Sequence, residues 1–377
     1  MAQTATSKAT PGQIKPAAVR RFHIDLAAWY ATHGRHDLPW RHTDDPYKIW
    51  LSEVMLQQTQ VSTVLARFYD PFLKKFPTIQ SLADAPRESV MKAWEGLGYY
   101  RRAGNLHEAA QKARNGMPKD VAGLLTLPGI GRNTASAIAA FAYHQPVAIL
   151  EANVKRIISR IFALETPSEN KLWSGAEQLL NREHPFDYNQ AMMDIGATIC
   201  TPKNPDCPAC PANIICRGKV NPECYPTPKV KKQVPTREVI IHVREDASGR
   251  LFLEARDATL LGGLYGFPQT PYNNAKHRIA SHDEPRSVGS SRVTPSSGAK
   301  RQLGTVTHAY SHFKLIGHVV YERLDTRPNS PTGTPANKSP RFPSPRSTTK
   351  PSHWLKIATG CKRKRRNRIS GAKHVDA

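Results

Sequence analysis

Leu127-Pro128-Gly129-Ile130-Gly131-Arg132-Asn133-Thr134, an apolar run to Ala142, and then Leu150-Glu151-Ala152-Asn153-Val154-Lys155-Arg156 form the stretch on which the reading of this chain turns. Two glycines bracketing an isoleucine let the backbone turn tightly and approach a ligand closely, and the alanine-rich residues from Thr134 to Ala142 continue as helix. A helix start of this kind points bare N–H groups outward, and a duplex backbone offers phosphates to them in register. Twenty positions after Gly131, Glu151 follows the apolar Val147-Ala148-Ile149-Leu150. A plain helix-to-helix turn beside a solvated Glu151 fits this stretch equally well, so other stretches must decide.

Composition narrows the choice. The 377 residues have room for two or three domains, each with its own core. The net charge is +24, and the last 52 residues, with 13 basic and one acidic, account for only half of it. A body that still carries +12 favours a polyanionic partner, nucleic acid above all, over an acidic small substrate. No apolar run approaches the roughly 18 residues of a membrane span, and the N-terminus lacks the apolar core of a signal peptide. The expected compartment is the cytoplasm, in association with the nucleoid. There, six cysteines mean metal ligands or free thiols rather than disulfides.

Upstream, residues 1–18 are small and polar and are expected to be disordered. A first helix is expected over Phe22 to Ala31, broken at Leu38-Pro39-Trp40-Arg41. Pro46 opens a longer helix through about Phe68, and at ~100° per residue Ile49, Trp50, Leu56 and Val64 project within roughly 60° of Glu53. A carboxylate in an apolar stripe is costly to desolvate, so its pKa should rise, which suits a general acid. A core-edge glutamate paired with an arginine such as Arg67 is the alternative. Next, Trp94-Glu95-Gly96-Leu97-Gly98-Tyr99-Tyr100-Arg101-Arg102 places aromatics beside arginines, a mixture that wedges into a base stack while the cations hold phosphate.

Downstream, a helix beginning at Phe186 runs towards Cys200-x6-Cys207-x2-Cys210-x5-Cys216, a loop stiffened by four prolines. Four thiolates at this spacing suit a zinc ion or a four-iron cluster, and Cys224 and Cys361 fall outside the set. Pro222 to Pro235 reads as a basic linker, and Val239–Val243 and Leu251–Leu253 as strands of a smaller mixed domain. Asn273 to Lys300 is a polar insertion, and the stretch from Thr326 on is expected to be a disordered basic tail.

Together these stretches resemble the adenine DNA glycosylases of the helix-hairpin-helix family that also holds endonuclease III. The resemblance runs from about Phe22 to Leu324. It rests on Trp50-Leu51-Ser52-Glu53-Val54-Met55-Leu56-Gln57-Gln58-Thr59-Gln60-Val61, Gly96-Leu97-Gly98-Tyr99-Tyr100, the hairpin, the four-cysteine loop, and Gly262-Gly263-Leu264-Tyr265-Gly266-Phe267-Pro268 with Tyr310-Ser311-His312. It implies a mainly α, two-lobed helix-hairpin-helix glycosylase domain (19–220) with an iron-sulfur cluster loop. A linker (221–236), a C-terminal Nudix-like α/β domain (237–325) and the tail (326–377) would follow.

The activity so implied is flipping and hydrolytic removal of adenine mispaired with 8-oxoguanine or guanine, by a monomer acting on double-stranded DNA. Glu53 would protonate the adenine and Glu151 stabilise the sugar cation. Trp40, Arg41 and Asp194 would lie near the adenine pocket. Gln57, Gln58, Tyr99, Gly129, Gly131, Asn133 and Asn153 would meet the duplex, and Tyr310, Ser311 and His312 would recognise 8-oxoguanine. Cys200, Cys207, Cys210 and Cys216 would hold a [4Fe-4S] cluster.

Two residues depart from the family pattern: Glu151-Ala152 stands where Asp-Gly is usual, and Tyr310 where phenylalanine is. Two other functions compete. A lyase acting on oxidised pyrimidines needs a Schiff-base lysine at the position held here by Asn133, and a non-catalytic DNA-binding relative would have no use for a carboxylate at Glu53.

Overall fold

The structure is a computed structural model and describes residues 12–228, 233–256, 265–272, 300–310 and 312–324. The chain divides after Val230 into two compact units.

The first unit is helical. Helix α1 (Pro16–His33) starts earlier than the first helical periodicity, because Pro16 supplies the preset φ of an N1 position. The expectation of disorder to residue 18 is therefore corrected from Pro16 onward. Helix α2 (Pro46–Leu56) opens on Asp45, whose carboxylate accepts from the Tyr47 amide, and on Pro46 at N1. The long helix expected to reach Phe68 instead stops at Leu56, and a separate α3 (Val61–Arg67) follows after Gln58 takes a left-handed φ of 56°. Short helices α4 (Tyr69–Lys75), α5 (Ile79–Ala83) and α6 (Arg87–Ala93) lead to α7 (Arg101–Lys112), α8 (Val121–Leu124) and α9 (Arg132–Tyr143). The small side chains of α9 let it pack directly on α2. One core, with Trp50, Leu82, Trp94, Leu106 and Ile138 at its centre, joins α2 to α9.

A second core forms where α10 (Ala152–Ile161), α11 (Glu169–Leu179) and α12 (Pro185–Thr198) pack with α1. Phe22, Leu26 and Tyr30 recur every four residues on the buried stripe of α1 and meet Ile157, Ile158, Trp173 and Ile195. The four-cysteine loop closes over this core. Part of the expected linker belongs here too: the Arg160 guanidinium donates to the Pro222 and Tyr225 carbonyls, and the Thr227 amide donates to Glu165.

The second unit is a mixed sheet. Its strands are β1 (Thr236–Asp246), β2 (Glu254–Ala255), β3 (Tyr265–Gly266), β4 (Gln269–Pro271), β5 (Lys300–Ala309) and β6 (Lys314–Leu324). The four-stranded order is β4-β1-β6-β5, with β1 parallel to β6 and the other pairs antiparallel. Ile241, Val243, Phe267, Val306 and Val319 form its core. The strand expected at Leu251–Leu253 is displaced: Leu251 makes only an isolated bridge to Glu245, and the pairing strand is β2. Gly262 to Leu264, the insertion before Lys300, Ser311 and the tail lie outside the described residues.

Candidate active site and nucleic-acid interface

The hairpin has the geometry its glycines require. Gly129 sits at φ +77°, and a Cβ there would lie 2.6 Å from the Asn105 Cβ on α7, so conformation and space both demand glycine. Gly131 is the N-cap of α9, no side chain caps the helix start, and open space surrounds the position of its missing Cβ. The first amides of α9 are thus left for an outside acceptor. Arg132 lies over the Trp173 ring at 3.8 Å. Asn133 turns inward: its Oδ1 accepts from the Leu150 amide at 2.8 Å and tethers the segment that delivers Glu151.

Glu151 caps α10. Its two carboxylate oxygens accept from the Asn153 amide (2.9 Å) and the Val154 amide (3.1 Å), which places negative charge at the positive end of the helix. The extra methylene relative to aspartate is taken up by folding back onto the helix start. Asn153 is fixed in turn, because Arg156 donates to its Oδ1 while also reaching the Gly196 and Cys200 carbonyls.

Glu53 lies on α2, mostly surrounded by protein but with part of its surface open. Burial, then the Glu151 charge, push its carboxyl up to about 7, and Arg41 pulls it back only partly. Among the described residues no hydrogen bond or ion pair reaches the Glu53 carboxyl, so the pairing with Arg67 is absent. Arg41 itself is bidentate to Asp194, with N···O distances of 2.7 and 2.8 Å, and Arg35 adds a backbone and a side-chain donor to the same carboxylate. Burial alone would raise Asp194, but the bonds and charges of the two arginines prevail and hold it low. Trp40 is buried edge-on against Tyr69.

Gln190 was not picked out from sequence. It lies one helical turn before Asp194 on α12, is buried, and its Oε1 has no partner among the described residues. An amide inside an apolar helix has no periodic signature; only the unpaired oxygen marks it.

Two exposed turns flank α2 and α7. Gln58 (φ 56°) tips one, beside a half-buried Gln57, and Tyr99 (φ 49°, 48% exposed) tips the other. The expectation that both Arg101 and Arg102 hold phosphate is corrected for Arg102, whose guanidinium is turned into the protein and bound to backbone carbonyls. Arg101 is exposed.

Cys200, Cys207, Cys210 and Cys216 are free thiols lining one cavity together with Arg160 and Ile199. Arg160 Nη1 lies 3.2 Å from Cys200 Sγ, and the Ala212 and Gly218 amides donate to Cys210 and Cys216. Cys224 is exposed, outside this cavity, and Cys361 lies outside the described residues. In the second unit Tyr310 stacks on Phe313 (4.8 Å) and meets His308 edge-on, Arg237 covers Phe313, and His312 is exposed.

Comparison with known proteins agrees with this geometry. Residues 51–182 match the HhH-GPD superfamily of base excision DNA repair proteins. The chain is 37% identical over 258 residues to an adenine DNA glycosylase of Buchnera aphidicola, covering 66% of this chain and 73% of that one. It is 33% identical over 371 residues to the human adenine DNA glycosylase, covering 80% and 67%. Among solved structures, a thermostable thymine-DNA glycosylase matches 54% of this chain and 97% of its own, at 29% identity and a TM-score of 0.50. The helical unit, its hairpin and these relatives together place the chain in the adenine DNA glycosylase family of the HhH-GPD superfamily.

Proposed function

We propose that the chain is a monofunctional base-excision-repair glycosylase that flips adenine out of a duplex, opposite 8-oxoguanine or guanine, and hydrolyses its N-glycosidic bond. The observation that carries this reading is the placement of Glu53 on α2 without a side-chain partner among the described residues, where burial and then the nearby Glu151 charge push its carboxyl up to about 7. Adenine leaves poorly as an anion, so a proton must reach its ring as the bond to C1′ breaks, and a positioned acid contributes a factor of about 10²–10⁴. Glu53 supplies that proton; the bonding pair departs with the neutral base. The positive charge left on the sugar is stabilised by Glu151, and water adds at C1′ while its proton passes to the carboxylate that Glu53 has become. The reacting atoms are inaccessible in a stacked duplex, so flipping comes first.

Arg41, held by Asp194, and Trp40 frame the pocket. Gln190, one turn from Asp194 on α12, is buried with an acceptor that has no partner among the described residues. Gly129 and Gly131 bring the α9 amides to the backbone, while Gln57, Gln58, Tyr99, Asn133 and Asn153 line or support the duplex face. The partner is double-stranded DNA, and a monomer suffices because both carboxylates come from one chain. Among the described residues no helix is long and apolar enough to cross a membrane.

The cysteine loop fits a [4Fe-4S] cluster held by Cys200, Cys207, Cys210 and Cys216. Supporting this is the donor set: four unbridged thiols round one cavity, with a guanidinium and two amides aimed at sulfur. When bound, the cluster supplies charge and rigidity to a DNA-facing loop. The sheet unit is a Nudix-like domain in which Tyr310, Ser311 and His312 read the opposite base, since 8-oxoguanine differs from guanine by a donor at N7 and an oxygen at C8.

The test is incubation with a duplex holding adenine opposite 8-oxoguanine or guanine, followed by a search for strand breaks with and without alkali. No release of adenine from either duplex overturns the proposal.

A further inference from the structure

The two turns tipped by Gln58 and Tyr99 are 41 positions apart in sequence, yet one side chain holds both. Arg102 Nη1 donates to the carbonyls of Val54 (2.8 Å), Met55 (3.1 Å) and Gln57 (2.6 Å), groups that the end of α2 leaves without helical partners. Its Nη2 reaches Thr59 Oγ1 (3.4 Å) in the first turn and the Gly98 carbonyl (3.3 Å) in the second. The guanidinium lies 5.5 Å from the Trp94 ring and 5.3 Å from the Tyr99 ring, and the indole of Trp94 donates to the same Gly98 carbonyl at 3.0 Å. Both tips sit in the left-handed region, at φ 56° and 49°, a conformation that side chains other than glycine hold only when their surroundings impose it.

From this geometry we infer that Arg102 is a positioning residue for base flipping, locking the Gln58 and Tyr99 turns into one rigid wedge that enters the duplex as a unit. The inference rests on the reading of the chain as a base-flipping glycosylase. Only a fork of donors serves here: a lysine ammonium has the charge but cannot meet carbonyls on two turns while lying flat beside two rings. Burial lowers Arg102 to about 10, in keeping with a cation drawn out of water and into these contacts. The same helix face reaches the hairpin as well, because Asn105, three residues on, is the side chain that Gly129 abuts.

A double-mutant cycle tests this in the full chain, with 2-aminopurine replacing the target adenine so that fluorescence reports the flipped fraction. If the turns act as one, Gln58→Ala and Tyr99→Ala each lower the flipped fraction about tenfold, and the double variant falls no more than about twofold below the worse single. Arg102→Lys should cause a similar loss, and adding Gln58→Ala to it should cost less than about twofold more, while affinity for undamaged duplex through the hairpin changes less than about threefold. Independent, multiplying losses of about a hundredfold in the Arg102 background overturn the inference whether or not Arg102→Lys folds. Adenine excision by the unsubstituted chain together with such multiplying losses overturns the wedge alone; no flipping and no excision by the unsubstituted chain overturns the glycosylase reading and the wedge with it.

Discussion

Glu53 and Glu151 reach the same site from different cores of the helical unit, and the charge of Glu151 adds to burial in lifting the Glu53 carboxyl to about 7. The acid is therefore still protonated at a pH where an ordinary glutamate has long been ionised. Single-turnover excision should hold up to about pH 7 and decline above it as Glu53 loses its proton. Glu53→Gln keeps the size of the side chain but not the deliverable proton, so excision should drop to background while duplex binding survives. Stability gives the sign independently. The folded pKa lies above the ordinary 4.5, so the wild type is progressively penalised as pH rises from about 4.5 through 7. Glu53→Gln should then be more stable than wild type at pH 8, by about 2 kcal/mol after allowance for solvent screening, and not at pH 4. A wild-type rate that keeps rising through pH 8 would contradict this assignment.

Position 151 carries fold and chemistry together. Glu151→Asp restores the residue usual in the family and can still cap α10, so it should be tolerated or improve turnover. Glu151→Ala removes both oxygens from the Asn153 and Val154 amides and should cost about 1 kcal/mol in thermal or denaturant unfolding along with most of the activity. An aspartate variant as damaged as the alanine one would mean that the local backbone is built around the longer side chain.

Asn133 has no amine, and its amide oxygen is engaged by Leu150. Strand breaks should accordingly appear only after alkali, and borohydride should trap no covalent protein–DNA adduct. Efficient trapping would reveal a nucleophile elsewhere in the site.

Iron analysis of anaerobically purified protein should find about four irons per chain. Serine at Cys200, Cys207, Cys210 or Cys216 should release iron, and serine at Cys224 should not. Stoichiometric zinc without iron would replace the cluster assignment.

The contacts of residues up to Thr227 with Arg160 and Glu165 set where a shortened chain should end. A chain ending at Pro228 should still release adenine opposite guanine but lose most of its preference for 8-oxoguanine. Ser311→Ala with His312→Ala should do the same at full length. Equal preference in all three proteins would assign the discrimination to the helical unit.

How far the sequence could be read follows from the range of the interactions. Helical periodicity placed Glu53 in its apolar stripe and the glycines placed the hairpin, because both are local rules. The end of α2 at Leu56 was not legible: it depends on Arg102, more than forty residues away, taking the helix's last carbonyls. For the same reason Arg102 looked like a phosphate ligand among its aromatic neighbours. Glu151 was legible as an acid but not as a helix cap, since Ser, Thr, Asp and Asn are the residues expected there. The unpaired oxygen of Gln190 and the inward turn of Asn133 are tertiary facts with no trace in local pattern.

The tether from Asn133 to Leu150 also bears on how hydrolases and lyases of one fold can diverge. An amine introduced at this position would give up the acceptor that fixes the segment carrying Glu151, so the substitution that adds a nucleophile also loosens the carboxylate any glycosylase step needs. A single exchange of Asn133 for lysine should therefore weaken adenine excision under single turnover, even where it adds an amine able to form a Schiff base.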